Sequence, residues 1–209
     1  VYQWWTAICA AKQMSGTYYG YRKDAGYRDD ICSYCSTIYG CALDPHPEEG
    51  PWGGLPEPSI IITQSECSVM SKIENLMAEA YDHAEQYTMH RYHEPVVTEN
   101  WFDKAFDNYK ALSTPERLDF YERELRDLIA FLEQKTGRMF DMNKFRQVMD
   151  YVNEQDYWYR KTRDLIAENR PAPAVISDTV NAVMQAQWQR GTKWAAEHAK
   201  GLYEEVKKR

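Results

Sequence analysis

Cysteine is the residue type in this chain best suited to chemistry, and all five cysteines lie in the first third of its 209 residues. Thiolates are soft, electron-donating ligands, so grouped cysteines bind iron-sulfur clusters or zinc. An odd cysteine count without a secretion signal fits a reducing compartment, where such groups are metal or redox sites more often than disulfides. We therefore expect a cytoplasmic protein whose chemistry involves some of Cys9, Cys32, Cys35, Cys41 and Cys67.

The spacing of the cysteines leaves several sites open. The pair Cys32 and Cys35 has the C-x-x-C spacing that zinc sites, thioredoxin-like redox sites and iron-sulfur clusters share. No strand is predicted before Cys32, which disfavours the thioredoxin-like reading. Zinc could be bound by Cys32, Cys35, Cys41 and Cys67, although zinc modules usually use two close pairs and Cys67 stands alone. Cys9 and Cys41 are expected to be small buried hydrophobic residues.

The elements around Cys67 predict an α/β arrangement. Residues 44–58 carry five prolines and three glycines and must form a loop, after short helices and turns in residues 1–43. Residues 59–63, SIIIT, predict a strand of a parallel sheet, buried on both faces. A helical pattern follows Cys67, which therefore lies where a strand passes into a helix. Ligands usually bind at that edge of an α/β sheet. Val96 and Val97 predict a second, weaker strand.

Helices are predicted from residue 113 to the end. Ser113 and Glu116 form a predicted capping box around Pro115, and the apolar stripe that follows ends at Gly137. Further helices are predicted from about Asp141 to the prolines after Arg170, over residues 177–189, and over 192–207. The expected architecture is thus an α/β lobe over residues 1–112, a short parallel sheet with flanking helices, followed by a helical layer over 113–209.

Other kinds of chemistry have little support. His83, His90 and His93 are not spaced to share a metal, Ser65 has no placed histidine partner, and no phosphate-binding G-x-x-x-x-G-K-S/T loop occurs. The formal net charge of -7, with a basic run only at residues 207–209, argues against a nucleic-acid partner. No apolar stretch approaches the roughly 20 residues that span a bilayer, so no membrane partner is expected.

Five segments, in the same order over about 170 residues, resemble segments of the 2-hydroxyacyl-CoA dehydratases. The resemblance is greatest to the α-type subunits of 2-hydroxyglutaryl-CoA dehydratase. The subunits of ATP-dependent benzoyl-CoA reductase are related to these proteins. The first segment is similar to the family's G-Y-x-x-D-I-C-x-Y segment and the second to its strand, second cysteine and helix start. The others resemble an L-E-x-x-T-G-x-x-F-D junction, a proline stop and a late R-G-T turn. The segments are AGYRDDICSY (25–34), PSIII with ECSVMSK (58–62, 66–72), LEQKTGRMFD (132–141), NRPAP (169–173) and RGT (190–192).

The resemblance implies a [4Fe-4S] cluster held by three cysteines, of which Cys32 and Cys67 match the first two. The third belongs to a second lobe of the family that this chain does not include, and Cys35 is a further metal-ligand candidate without a clear counterpart. In the family, a separate ATP-dependent iron-sulfur activator drives an electron onto the cluster, which passes it to a CoA thioester. The resulting ketyl radical anion then loses a β-proton and an α-hydroxyl. Tyr27, Tyr34 and Tyr39 are candidates to shield the cluster.

The resulting prediction is an iron-sulfur subunit, or its N-terminal half, of a radical 2-hydroxyacyl-CoA dehydratase with a homologous second subunit. Two alternatives remain at this point. One is a benzoyl-CoA-reductase-type ring reductase subunit. The other, from a different class, is a non-catalytic cluster-binding or zinc-binding assembly module that kept the fold without the second lobe.

Overall fold

The computed structural model describes residues 2–28, 30–64, 67–92 and 113–209. They divide into two compact units, Val1–Arg138 and Met139–Arg209. The boundary predicted at 112/113 lies at the edge of a segment outside the described residues and stays a prediction. The predicted strand at Val96 and Val97 also lies outside them.

Three short helices begin the first unit: α1 (Tyr2–Ala11), α2 (Ser15–Asp24) and α3 (Ser33–Ala42). The proline-rich segment after them forms two single 3₁₀ turns, Pro47–Glu49 and Pro51–Gly53, as its composition predicts. α3 is the centre of this unit because its residues 35–41 are all buried, and it packs against α1 and α2.

The sheet of the first unit has two parallel strands, β1 (Ile60–Gln64) and β2 (Glu85–Met89), joined through α4 (Ser68–Ala80). In register, Ile61 lies opposite Gln86 and Ile62 opposite Tyr87. The predicted parallel strand and the α/β class are therefore confirmed. Burial of β1 on both faces is wrong within the described part of the chain, since Ile61 is 3% exposed but Ile62 is 37% exposed. Exposure alternates along β1 because α4 packs its apolar face against one side of the strand.

The helix α5 (Pro115–Thr136) completes the first unit and packs against β2. The rings of Tyr87 and Phe131 lie 4.8 Å apart, and the backbone N–H of His90 donates to Glu124 at 2.7 Å. α5 ends as predicted at Gly137, which has the left-handed conformation. Its predicted start was one residue early, because Thr114 rather than Ser113 is the capping residue and accepts from the N–H of Arg117.

The second unit consists of α6 (Met142–Glu168), α7 (Ile176–Trp188) and α8 (Lys193–Lys207), close to the predicted bounds. Asp141 and Thr192 cap α6 and α8 through their side chains. Gly191, just before α8, packs against the side chain of Val148 in α6. Farther along both helices, the ring of Trp158 lies 5.3 Å from that of Tyr203. α6 and α8 therefore run in the same direction, and the rings of Trp158 and Tyr203 pack between them. Among the described residues, no helix is long and apolar enough to cross a membrane.

Candidate functional site

Cys32 lies directly before the first turn of α3 and is exposed. Its carbonyl accepts the N–H of Ser36 at 3.1 Å, the first hydrogen bond of the helix. The sulfur makes no capping hydrogen bond, but the backbone N–H groups of Cys35 and Tyr34 point toward it. These N–H groups, with that of Cys35 contributing most, lower the pKa of the Cys32 thiol from its ordinary value, although partial burial opposes them. Cys32 is therefore placed to serve as a thiolate ligand.

Cys67 has the same position relative to α4. It is exposed, precedes the first turn, and its carbonyl accepts the N–H of Ser71 at 2.9 Å. Residue 67 also follows β1, so the predicted passage from strand to helix at this cysteine is confirmed. The free N–H groups at a helix N-terminus carry a partial positive charge that stabilises an anion. Both helix starts thus present an exposed sulfur in a setting that favours a negatively charged ligand group.

Cys35 lies in the first turn of α3 and is buried, whereas Cys32 is exposed. Burial raises the pKa of Cys35 to about 12, assisted by a hydrogen bond with Cys32 and by the negative charges of Cys32 and Cys67. α3 and α4 pack together, and Ile31 and Ser68, which neighbour Cys32 and Cys67 in sequence, line the same cleft. The two helices therefore begin near each other. Burial favours the neutral thiol at Cys35, which makes it a poorer ligand than the other two.

Within the described ranges, no group of three or more histidine, cysteine or acidic side chains is close enough to hold a metal ion. Two exposed thiols at helix N-termini fit the cysteine ligation of an iron-sulfur cluster but do not complete it. Cys32 and Cys67 as ligands, and Cys35 as a further candidate, stay predictions.

The four-cysteine zinc site conflicts with the geometry of α3. Cys41 lies nine residues after Cys32, which is about 13 Å along the helix axis at about 1.5 Å per residue. Its sulfur lies 3.7 Å from that of Cys9, a residue of α1. Zinc–sulfur bonds are about 2.3 Å long, so Cys41 and Cys32 cannot share one ion. As expected, both Cys9 and Cys41 are buried. Their contact was not predicted, because nothing in the sequence indicates which helices pack together.

A small cleft lies beside the start of α4. Its volume is about 190 Å³, and its lining is mostly apolar. Pockets that hold a drug-sized ligand measure about 300–1,000 Å³, so this cleft can take only part of a large molecule such as a CoA thioester. Two positively charged side chains, those of the buried Arg22 and of Lys72, also face it. The residues that line it and bear on the site are Arg22, Tyr27, Tyr39, Ser68, Val69 and Lys72.

The tyrosines predicted near the site differ in position. Tyr27 and Tyr39 line the cleft with their rings 5.1 Å apart in an edge-to-face arrangement. Burial, followed by the hydrogen bond with Tyr27, raises the pKa of Tyr39 to about 12. The carbonyl of Tyr34 accepts the hydroxyl of Thr6 at 2.9 Å, which ties α1 to the start of α3. A shielding role for these three tyrosines remains a prediction.

The histidines do not form a second site in the part of the chain described. The Nε2 atom of the exposed His83 lies 3.7 Å from a carboxylate oxygen of Glu57, and its ring makes an edge contact with Tyr81. His90 bonds to Glu124 through its backbone rather than its ring. His93 is outside the described residues. Both His83 and His90 are exposed.

Comparison with known proteins gives a match to one family over nearly the whole chain. The family model described as 2-hydroxyglutaryl-CoA dehydratase, D-component, matches residues 8–209. The (R)-phenyllactyl-CoA dehydratase alpha subunit of Clostridium sporogenes is 26% identical over 181 residues, which cover 86% of this chain and 40% of that protein. The (R)-2-hydroxyisocaproyl-CoA dehydratase alpha subunit of Clostridioides difficile is 25% identical over 201 residues, covering 94% and 44%. The chain thus spans less than half the length of these relatives.

Proposed function

Because the chain belongs to the 2-hydroxyglutaryl-CoA dehydratase D-component family, we propose that it is an iron-sulfur subunit, or part of one, of a radical 2-hydroxyacyl-CoA dehydratase. The observation that carries the proposal is the equivalent placement of Cys32 and Cys67, each exposed directly before the first turn of one of two packed helices. Both relatives named above are dehydratase alpha subunits, which favours dehydration over aromatic ring reduction.

The proposed cofactor is a [4Fe-4S] cluster, which when bound supplies a low-potential electron to the CoA thioester. Cys32 and Cys67 provide two of its ligands. The backbone N–H groups at the start of α3 lower the pKa of the Cys32 thiol, which favours the thiolate form that binds iron. The same partial positive charges would also favour the added negative charge of a reduced site.

The cleft beside Ser68 suits the reacting end of a thioester better than its whole length, given its volume of about 190 Å³. Tyr27 and Tyr39 give it an aromatic wall. Arg22 and Lys72 place two positive charges at it, which would stabilise negative charge developing on a thioester oxygen. The CoA part of the substrate would then extend beyond the cleft.

The proposed partners are a homologous second subunit and a separate ATP-dependent iron-sulfur activator. The alpha-subunit names of the relatives support a multi-subunit enzyme. The activator is proposed from the family that the chain belongs to. The free cysteines fit a reducing compartment and support a cytoplasmic location for the proposed complex.

The direct test is turnover by the complete complex, assembled anaerobically with the activator, ATP and a low-potential reductant. We expect 2-hydroxyacyl-CoA substrates to be converted to the corresponding 2-enoyl-CoA products, with no reduction of benzoyl-CoA. Cys67→Ala should abolish turnover and Cys9→Ala should retain it. Reduction of benzoyl-CoA instead would reassign the chain to the ring reductases. Absence of turnover with either substrate class would leave the non-catalytic assembly module as the better account.

A further inference from the structure

Two buried cysteines lie against each other away from the proposed ligands. Cys9 of α1 and Cys41 of α3 are 32 positions apart in sequence, yet their sulfurs are 3.7 Å apart. Cys9 is 0% exposed and Cys41 is 5% exposed. We propose that Cys9 and Cys41 are a modification site, where hydrogen peroxide converts the two thiols into a reversible disulfide that links α1 to α3. This inference goes beyond the proposed function and does not depend on it.

The packing of the two helices favours this bond over other pairings. A disulfide is about 2.05 Å long, so the two sulfurs must approach by about 1.7 Å. α1 and α3 are already in contact, and the hydrogen bond from Thr6 to the carbonyl of Tyr34 holds them together at the other end of α3. The bond would therefore join two helices that the fold already packs together.

The two thiols also have different chemical roles. The hydrogen bond between the two thiols lowers the pKa of Cys9, although burial opposes the effect. The same hydrogen bond, followed by burial, raises the pKa of Cys41. Cys9 is therefore the better nucleophile of the pair, and Cys41 retains its proton until it reacts.

The reaction balances with one molecule of peroxide. The Cys9 thiolate attacks one peroxide oxygen, the O–O bond breaks, and the hydroxide that leaves takes up a proton to form water. This step leaves a sulfenic acid at Cys9. The Cys41 sulfur then attacks the Cys9 sulfur, the S–O bond breaks, and the Cys41 proton leaves with the hydroxide as a second water. In total, two thiols are oxidised by two electrons and peroxide is reduced to two waters.

The bond would act on the helix that begins at Cys32. The segment enclosed between Cys9 and Cys41 contains both Cys32 and Cys35 and the whole of α2. Closing a loop of this length restricts the unfolded chain, so the oxidised first unit should melt about 10 °C higher than the reduced one. Oxidation would thus fix α3 against α1 without using either proposed cluster ligand.

The test is disulfide mapping of the whole chain, purified anaerobically with any chains that accompany it. The sample is treated with a small excess of hydrogen peroxide, quenched with catalase, denatured, alkylated and digested for mass spectrometry. We expect one linked peptide pair carrying Cys9 and Cys41, lighter by two hydrogen atoms than the separate peptides and released by dithiothreitol. The rise in Tm should appear in the same oxidised sample.

Matched variants separate this bond from damage at the proposed cluster site. Cys67→Ala should still form the linked pair, whatever its iron content, so failure of the proposed function would not remove the signal. Cys41→Ser should form no link from Cys9 and show no rise in Tm. Recovery of Cys9 and Cys41 as free alkylated thiols after peroxide treatment would overturn the proposal. So would a disulfide between Cys9 and any other cysteine.

Discussion

Gly40 of α3 lies so close to the backbone of Tyr18 in α2 that a Cβ at residue 40 would overlap the Tyr18 carbonyl oxygen. Both residues are buried, and the helix that carries Gly40 begins at Cys32. The close approach of α2 and α3 therefore depends on the absence of a side chain at one position. The close approach of the two helices also helps to form the candidate site, because Arg22 of α2 lines the cleft.

Gly40→Ala should destabilise the first unit by about 1–3 kcal/mol, because the overlap is with backbone atoms that cannot rotate away. Urea denaturation followed by circular dichroism would measure the loss. Gly20→Ala is the matched control, since Gly20 lies in α2 with no atom within 4 Å of an added Cβ. That change should raise the free energy of unfolding by about 0.5–1 kcal/mol. Equal effects of the two substitutions would contradict the packing described here.

Gly191→Ala should destabilise the second unit for two reasons. Gly191 has φ of 81°, which costs an alanine about 1–2 kcal/mol, and an added Cβ would lie 2.6 Å from a methyl carbon of Val148. Thermal unfolding would measure the effect as a lower Tm. Gly201→Ala in α8, where nothing lies within 4 Å, should instead raise the Tm. If Gly191→Ala melted at or above the wild-type temperature, the contact between α6 and the start of α8 would be wrong.

Tyr39 should make the protein sensitive to alkaline pH. Its pKa is raised from 10.0 to about 12 in the folded state, so the unfolded chain loses this proton first as the pH rises. The contribution of Tyr39 to the free energy of unfolding is therefore intact below pH 10 and is lost between pH 10 and 12. The free energy of unfolding falls there by at most about 1.4 kcal/mol per pH unit. Tyr39→Phe removes this titration while keeping the ring. Urea denaturation at several alkaline pH values should give a shallower slope for the variant, and identical slopes would refute the assignment.

Helix bounds were the part of the fold most accessible from sequence. The apolar spacing after Cys67 predicts α4, and Ile73, Leu76 and Met77 form its buried face. β2 was not predicted because its residues, EQYTM, are largely polar and only partly buried, so they lack the apolar signal of a strand. The exposure of Ile62 could not be predicted either, since a β-branched run does not show which faces are covered.

The site was predictable to the extent that it depends on local structure. The helical pattern after Cys67 predicted that this cysteine lies directly before a helix, and the structure confirms it. The equivalent position of Cys32 before α3 was not predicted. The burial of Cys35 and the contact between Cys9 and Cys41 depend instead on the packing of α3 with its neighbours. Tertiary contacts of that kind leave no periodic signal in a single sequence.

The most direct test of the central claim is the iron, acid-labile sulfide and zinc content of strictly anaerobically purified protein, with any co-purifying chains identified. We predict about four irons and four sulfides per cluster-bearing unit. Cys32→Ala and Cys67→Ala should each lose this iron and sulfide, and Cys9→Ala, which removes a buried thiol outside the site, should keep both. Full iron in the Cys32→Ala or Cys67→Ala protein would contradict the ligand assignment, and stoichiometric zinc without sulfide would contradict the iron-sulfur function itself.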